Sequence, residues 1–308
     1  MIVRRLTETT ALLLLTITAS AQLPSTGTAA NSGVLDGVYV QEHIPTKRVV
    51  QYTHLREADV MWSKRVWRTI DLREKQNHPL FFPTTPISDR MSLYDVIKYG
   101  VLDEGSLTIY DVTGLFDDQF RFPVKREPGE IDSVYKLRLE SYFGEVSTEA
   151  KIDMETGMEM YDEFGNPEFE DVTSQYEARE IIRYEIKEDW FFDKQRSVLD
   201  VRIIGISPVV QMKDQSGNVM GVKNLFWLYF PECRYVFQNF FVYNPHNDAQ
   251  RMSFDDLFWK RDFNSYIHKE SNIFDRNVSP NWKGVDALLE SEKIKGEMFR
   301  LEHDLWNL

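Results

Sequence analysis

Six histidines, one cysteine and 49 carboxylates are the side chains of this 308-residue sequence that could carry chemistry. His43, His54, His78, His246, His268 and His303 are scattered, and none falls in an H-E-x-x-H or comparable metal-ligand spacing. His303, between Glu302 and Asp304, reads as a cation at a helix C-terminus, where the dipole favours it. Gly205-Ile206-Ser207 begins like a nucleophile elbow, but Pro208 and Val209 follow, and the motif needs a second glycine at its fifth place. Cys233 lies in an aromatic segment between Glu232 and Arg234, a setting for a buried apolar thiol rather than a reactive thiolate. A single cysteine allows neither an intrachain disulfide nor a cysteine-rich zinc site. Phosphate loops and dinucleotide fingerprints are missing from the sequence, so no cofactor is expected. Carboxylates are numerous enough to supply the acid pair of a glycoside hydrolase, although abundance alone assigns no role.

Two charge patterns stand out. From Asp153 to Asp171 the sequence carries Asp153, Glu155, Glu159, Asp162, Glu163, Glu168, Glu170 and Asp171 with no lysine or arginine. An EF-hand reading fails, because Gly157 occupies the fifth place counted from Asp153, where an oxygen ligand belongs. With Gly157 and Gly165-Asn166-Pro167 inside it, the segment reads as a solvated acidic loop. Elsewhere tryptophan alternates with cations, in Trp62-Ser63-Lys64-Arg65-Val66-Trp67-Arg68 and in Phe258-Trp259-Lys260-Arg261. Tryptophan and arginine are the typical anchors of protein interfaces, with cation–π contacts worth about 0.5–2 kcal/mol. Trp62, Arg65, Trp67, Arg68, Trp190, Trp259, Lys260 and Arg261 are therefore candidate partner contacts. The plainer alternative is a half-buried helix with its charges in water. Trp62, Trp67, Trp190, Trp227, Trp259 and Trp282 could also line a sugar-binding surface.

Local patterning suggests the elements that hold these residues. Trp62, Val66 and Ile70, spaced by four, predict a helix over 56–71. Ser92-Leu93-Tyr94-Asp95 resembles a capping box opening a helix over 92–99, closed by a left-handed glycine cap at Gly100. Ser253-Phe254-Asp255-Asp256 repeats the pattern and predicts a helix over 254–267. The echo between Met91–Ile97 and Met252–Phe258 could mark an old duplication or a recurring helix start. Residues 106–111 and 134–143 read as strands, and 176–188 as a charged helix. Val198–Gln211 reads as a strand, with Asp214-Gln215-Ser216-Gly217-Asn218 turning a hairpin into Val219–Tyr229. Nine of the eighteen residues from Phe226 to Tyr243 are aromatic, and half of these are expected to alternate inward along a strand. Ile294, Met298, Leu301 and Leu305 mark an amphipathic helix over 285–306, weakened at Gly296 by about 1 kcal/mol. The expected fold is α+β, mixing helices with antiparallel hairpins and ending in a C-terminal amphipathic helix.

With 28% charged and 42% apolar residues the composition is globular, and the net charge of −13 argues against non-specific nucleic-acid binding. Arg4 and Arg5, the apolar stretch Ala11–Ile17 and Ala19-Ser20-Ala21 before Gln22 predict a secretory signal peptide over 1–21. A lipid anchor at Gln22 is not expected, since that needs a cysteine. Residues 22–33 read as a flexible leader. The region 34–308 follows, read as one body or as halves 34–150 and 172–308 around the acidic loop 153–171. The apolar runs near 201–210 and 225–243 are short or interrupted, so direct membrane insertion is not expected.

Five strings carry a resemblance: Met61–Arg68, Trp190-Phe191-Phe192-Asp193-Lys194-Gln195-Arg196-Ser197, Tyr229-Phe230-Pro231-Glu232-Cys233-Arg234-Tyr235, Phe258–Arg261, and Glu302-His303-Asp304-Leu305-Trp306. In this order, from about Asp36 to the C-terminus, the chain resembles the GldN/PorN family. The resemblance implies a gliding-motility and type IX secretion component of Bacteroidota, resident in the periplasm and held at the outer membrane through a lipoprotein. Implied partners are that lipoprotein, GldK/PorK, with which a large ring forms, further copies of the chain itself, and the inner-membrane-anchored GldM/PorM. No catalytic residue or cofactor is implied. Charge reversal at Arg65 or Arg261 is expected to weaken assembly without unfolding the monomer. An exported glycan- or peptide-binding module and a periplasmic glycan hydrolase remain as alternatives.

Overall fold

Three long strands set the architecture. The computed structural model describes residues 48–87, 90–112, 118–150, 169–213, 219–244, 247, 250–274, 276–278 and 282–306. β1 (Val60–Asp71), β5 (Ile181–Asp193) and β6 (Val198–Lys213) form the centre of a seven-stranded sheet, in the order β11-β1-β5-β6-β8-β2 with β7 also beside β6. β2 is Ile109–Tyr110, β7 Val219–Asn224, β8 Trp227–Tyr229 and β11 Tyr266–Glu270. All pairings in this sheet are antiparallel. Two smaller pairs lie apart: β3 (Gly144–Ala150) with β4 (Phe169–Gln175), and β9 (Phe241–Val242) with β10 (Met252–Ser253). The helices are α1 (His78–Phe81), α2 (Leu93–Lys98), α3 (Asp132–Ser141), α4 (Phe230–Phe237), α5 (Phe254–Lys260) and α6 (Val285–Trp306).

The two-residue period of the strands sorts the side chains. Ile70 faces Tyr184 and Arg68 faces Ile186 across β1 and β5, and Ile186 faces Ile206 across β5 and β6. Ile70, Tyr184, Ile186 and Ile206 join Leu93 and Ile97 of α2, Phe230 and Phe237 of α4, and Phe254 and Phe258 of α5 in one core. Its aromatic centre pairs Phe258 with Phe230 at 5.3 Å, with Phe263 at 5.7 Å and with Phe237 at 6.0 Å between centroids. Each such pair adds about 0.5–1.5 kcal/mol beyond area burial. At the β11 end, α6 lays Ile294 and Met298 on Val66 and Ile267. The other sheet face carries Arg65 beside Asp189, Trp67 beside Lys187 and Thr69 beside Glu185.

Several expectations are corrected. Residues 60–71 are a strand, because a spacing of four is even and satisfies the period of two as well as that of a helix. The same ambiguity affects 176–188, where Arg183, Glu185 and Lys187 alternate with Tyr184 and Ile186 in β5 rather than forming a helix. Conversely, 134–143 falls mostly in α3, which buries Leu139 and leaves Val134 and Leu137 exposed. Only β8 and β9 are strands within 226–243. Between them α4 starts at Phe230 with Pro231 in its first turn, where a missing N–H costs nothing, and buries Phe230, Cys233, Arg234 and Phe237 at helical spacing. The helix beginning at Phe254 stops at Lys260 because Arg261 is left-handed, with φ 56° and ψ 39°.

Gly100 is not a left-handed cap but part of a π-helical turn, Tyr99–Asp103, and a Cβ there would lie 2.7 Å from Leu107 Cδ1. Both serine starts are real. Ser92 Oγ accepts from the Asp95 N–H and Ser253 Oγ from the Asp256 N–H, each at 3.1 Å. The hairpin of β6 and β7 and the C-terminal helix also form as expected. The expected signal peptide (1–21), the leader (22–33), the hairpin turn 214–218 and the acidic segment before Phe169 lie outside the described residues. Among the described residues, no helix is long and apolar enough to cross a membrane.

Candidate partner-binding surface

On the helix-covered face, β1, β5 and the residue after α5 bring Arg68, Trp190 and Arg261 together around Glu188. Glu188 is fully buried, and Arg261 reaches it with Nη2 at 2.9 Å from Oε1 and 3.2 Å from Oε2. Trp190 Nε1 donates to Glu188 Oε2 at 3.1 Å, and the Arg261 guanidinium lies 5.5 Å from the Trp190 ring centroid. Arg68 is buried nearby, donating to Ser265 Oγ at 2.9 Å and to its carbonyl at 3.0 Å. Burial lowers the Arg68 pKa, with Glu188 opposing. Trp62 is half-buried against the α6 cluster. Reversal at Arg261 would thus set a second carboxylate against a buried one, so this residue holds the fold itself.

On the opposite face Trp67 is also buried and internally committed. Its Nε1 donates to Asp118 Oδ2 at 2.9 Å, and Lys187 Nζ donates to the Asp118 carbonyl at 2.6 Å while lying 5.6 Å from the Trp67 ring. Burial lowers the Lys187 pKa, opposed by Asp118. Phe120 closes the cage, and Gly205 makes room for it: a Cβ at that position would lie 2.5 Å from Phe120 Cζ. Arg65 sits further along the strand, with Nε and Nη2 on Asp189 at 2.6 and 2.7 Å, and this pairing raises its pKa. Its side chain is 44% exposed, leaving one side open to a partner.

The outward-facing members gather on α5. Trp259 is 48% exposed and stacks on Tyr52 at 5.7 Å, and Lys260 beside it is exposed. Beneath them lies a residue that the sequence did not single out. Arg234 is buried, is held by Asp255 through Nε at 2.7 Å and Nη2 at 3.3 Å, and lies 4.7 Å from the Tyr52 ring and 4.9 Å from the Trp259 ring. Arg202 continues the stack, 5.1 Å from both Tyr52 and Phe191. Burial raises the Tyr52 pKa, with Arg234 opposing. The signal for Arg234 was its place with Phe230, Cys233 and Phe237 on one face of a helix. Phe191, Arg202 and Tyr52 thus follow one another beneath Trp259, with Arg234 against both the Tyr52 and Trp259 rings, and these contacts brace Trp259 at the surface as an anchor for a partner.

The groups with possible catalytic roles are placed otherwise. Cys233 is buried, which pushes its thiol pKa up and keeps it protonated. Ser207 is fully buried in the middle of β6 opposite Glu185, so no nucleophile elbow exists there. His268 Nδ1 meets Thr69 Oγ1 at 2.9 Å, and burial lowers its pKa. Asp255 and Asp200, the carboxylates that line a cavity of about 370 Å³ together with Trp259, are bound by Arg234 and Arg196 respectively. Among the described residues, no three His, Cys, Asp or Glu side chains converge as metal ligands.

No curated protein sequence matches the chain. Residues 55–307 match the family described as gliding motility associated protein GldN, a span that takes in every helix and strand described above. The chain therefore belongs to the GldN family, whose members are structural components of the gliding motility and type IX secretion machinery.

Proposed function

We propose that the protein is a ring-forming structural subunit of this machinery, resident in the periplasm and held at the outer membrane by a GldK/PorK-like lipoprotein. In this reading it also contacts a GldM/PorM-like protein anchored in the inner membrane, and it works by binding rather than by catalysis. Family membership supports the machinery. The observation that supports a binding role is the exposed Trp259–Lys260 platform braced by Tyr52 and Arg234. Arg65 offers a second, half-open contact on the other sheet face. A ring requires heterologous contacts, in which one surface meets a different surface on the next subunit. Such stable contacts bury more than about 1,000 Å² around aromatic and arginine anchors.

Mass photometry of the purified protein mixed with the GldK/PorK-like lipoprotein tests the reading. An assembly far heavier than either component is expected. Two unmixed species at their monomer masses would refute it.

A further inference from the structure

A groove of about 850 Å³ lies between α1, residues 82–87 with Arg90, the β9–β10 pair and α5. Phe241, Met252 and Leu257 line it, and Phe82, Ile87 and Tyr243 remain 51%, 53% and 47% exposed there. Large apolar side chains gathered in one open groove mark a docking site. The rim has the opposite charge to the chain as a whole: Lys75 and Arg90 line it, against Asp262 as the single acid among the described lining residues. Neither Lys75 nor Arg90 forms an ion pair among the described residues, and Arg90 lies 5.7 Å from the Tyr243 ring centroid. The groove is therefore fitted to a ligand that is apolar and acidic at once.

We propose that its occupant is the acidic segment Asp153–Glu168 of a second copy of this chain. That segment interleaves Asp153, Glu155, Glu159, Asp162, Glu163 and Glu168 with Met154, Met158, Met160, Tyr161 and Phe164, and contains no basic residue. Methionine adapts to irregular apolar grooves, and the carboxylates meet the Lys75 and Arg90 rim. The segment is tethered at Ala150 and Phe169, which stand opposite each other at the end of the β3–β4 pair. Eighteen residues separate those anchors, and a loop of that length reaches about 30 Å at full extension, enough to enter a neighbour. The contact is heterologous, groove to loop, and so propagates from copy to copy. The inference rests on the ring reading and assigns one of its interfaces.

Two full-length variants test it, Gln76→Cys at the groove and Thr156→Cys in the segment, both sparing the apolar and charged groups. Mixed without any partner and mildly oxidised, they are expected to give a disulfide-linked dimer that neither variant gives alone; Cys233 is buried and does not compete. Separately, Arg90→Glu is expected to weaken self-association roughly tenfold and the Glu159→Lys, Glu163→Lys chain to restore it. Absence of the mixed dimer overturns the proposal, as does an intrachain bridge in the doubly substituted chain with no dimer. If the Arg90→Glu chain still builds full-size assemblies with the lipoprotein, the groove assignment falls and the ring stands. If the wild-type chain builds none, the ring reading falls, whatever the crosslink shows.

Discussion

Replacing Arg261 by alanine should cost the fold about 2–4 kcal/mol, and the structure shows where that figure comes from. Glu188 is fully buried, and its only cationic partner among the described ion pairs is Arg261, at 2.9 Å. Removing one partner of a buried pair typically costs 3–5 kcal/mol, because a carboxylate is left desolvated. Two features lower the figure: the Arg261 side chain is 27% exposed, so water can follow it out, and Trp190 Nε1 still donates to Glu188. Arg261 is also left-handed at φ 56°, a conformation that costs a residue with a Cβ about 1–2 kcal/mol. Arg261→Gly should therefore be about 1 kcal/mol more stable than Arg261→Ala although both lose the ion pair. Glu188→Gln in the Arg261→Ala background removes the stranded charge and should recover at least half of the loss. Urea unfolding followed by tryptophan fluorescence of these variants, the wild type and Glu188→Gln alone gives each stability and the coupling energy between the two sites. The reasoning fails if Arg261→Ala costs less than about 1 kcal/mol and Glu188→Gln restores nothing.

Trp259→Ala should cost the monomer about 1 kcal/mol for the lost stacking, yet weaken assembly with the lipoprotein by about 2 kcal/mol, which titration by mass photometry would resolve. Gly205→Ala should lower the melting temperature by several degrees, about 1–3 kcal/mol of overpacking, because the new methyl collides with Phe120 inside the Lys187 cage. Stability should fall as the pH drops below about 6.5, the unfolded histidine value, because burial depresses the His268 pKa in the fold and the unfolded chain binds the proton first. His268→Gln should flatten that slope in urea titrations between pH 5 and 8, with Glu185, Lys269 and Arg183 the charges bearing on it.

Elements with a local signature could be read from the chain. Ser92 and Ser253 announce their helices because a capping serine answers backbone N–H groups within three residues. Ile294 and Met298 are buried on α6 as their spacing requires. β1 and β5 resemble helices in the sequence because Trp62, Val66 and Ile70 share a face in either geometry, and only pairing partners more than a hundred residues away decide between them. That ambiguity carries into the candidate site. In a helix Arg65 and Arg68 lie side by side, whereas the strand sends Arg65 to Asp189 on one face and Arg68 to Ser265 on the other. The same long reach hid the brace under Trp259, since Tyr52, Arg202, Arg234 and Asp255 meet only after folding.

The placement of β1 has a kinetic corollary. Its two neighbours are Ile181–Asp193 and Tyr266–Glu270, so the first long strand among the described residues waits for the last strand among them, made about 200 residues later, to complete its hydrogen bonds. Few early contacts offset the entropy of closing such wide loops, and folding of this topology is slow and essentially post-synthetic. A nascent chain that has not reached Glu270 keeps an open strand edge, the state in which a holdase chaperone can still capture it.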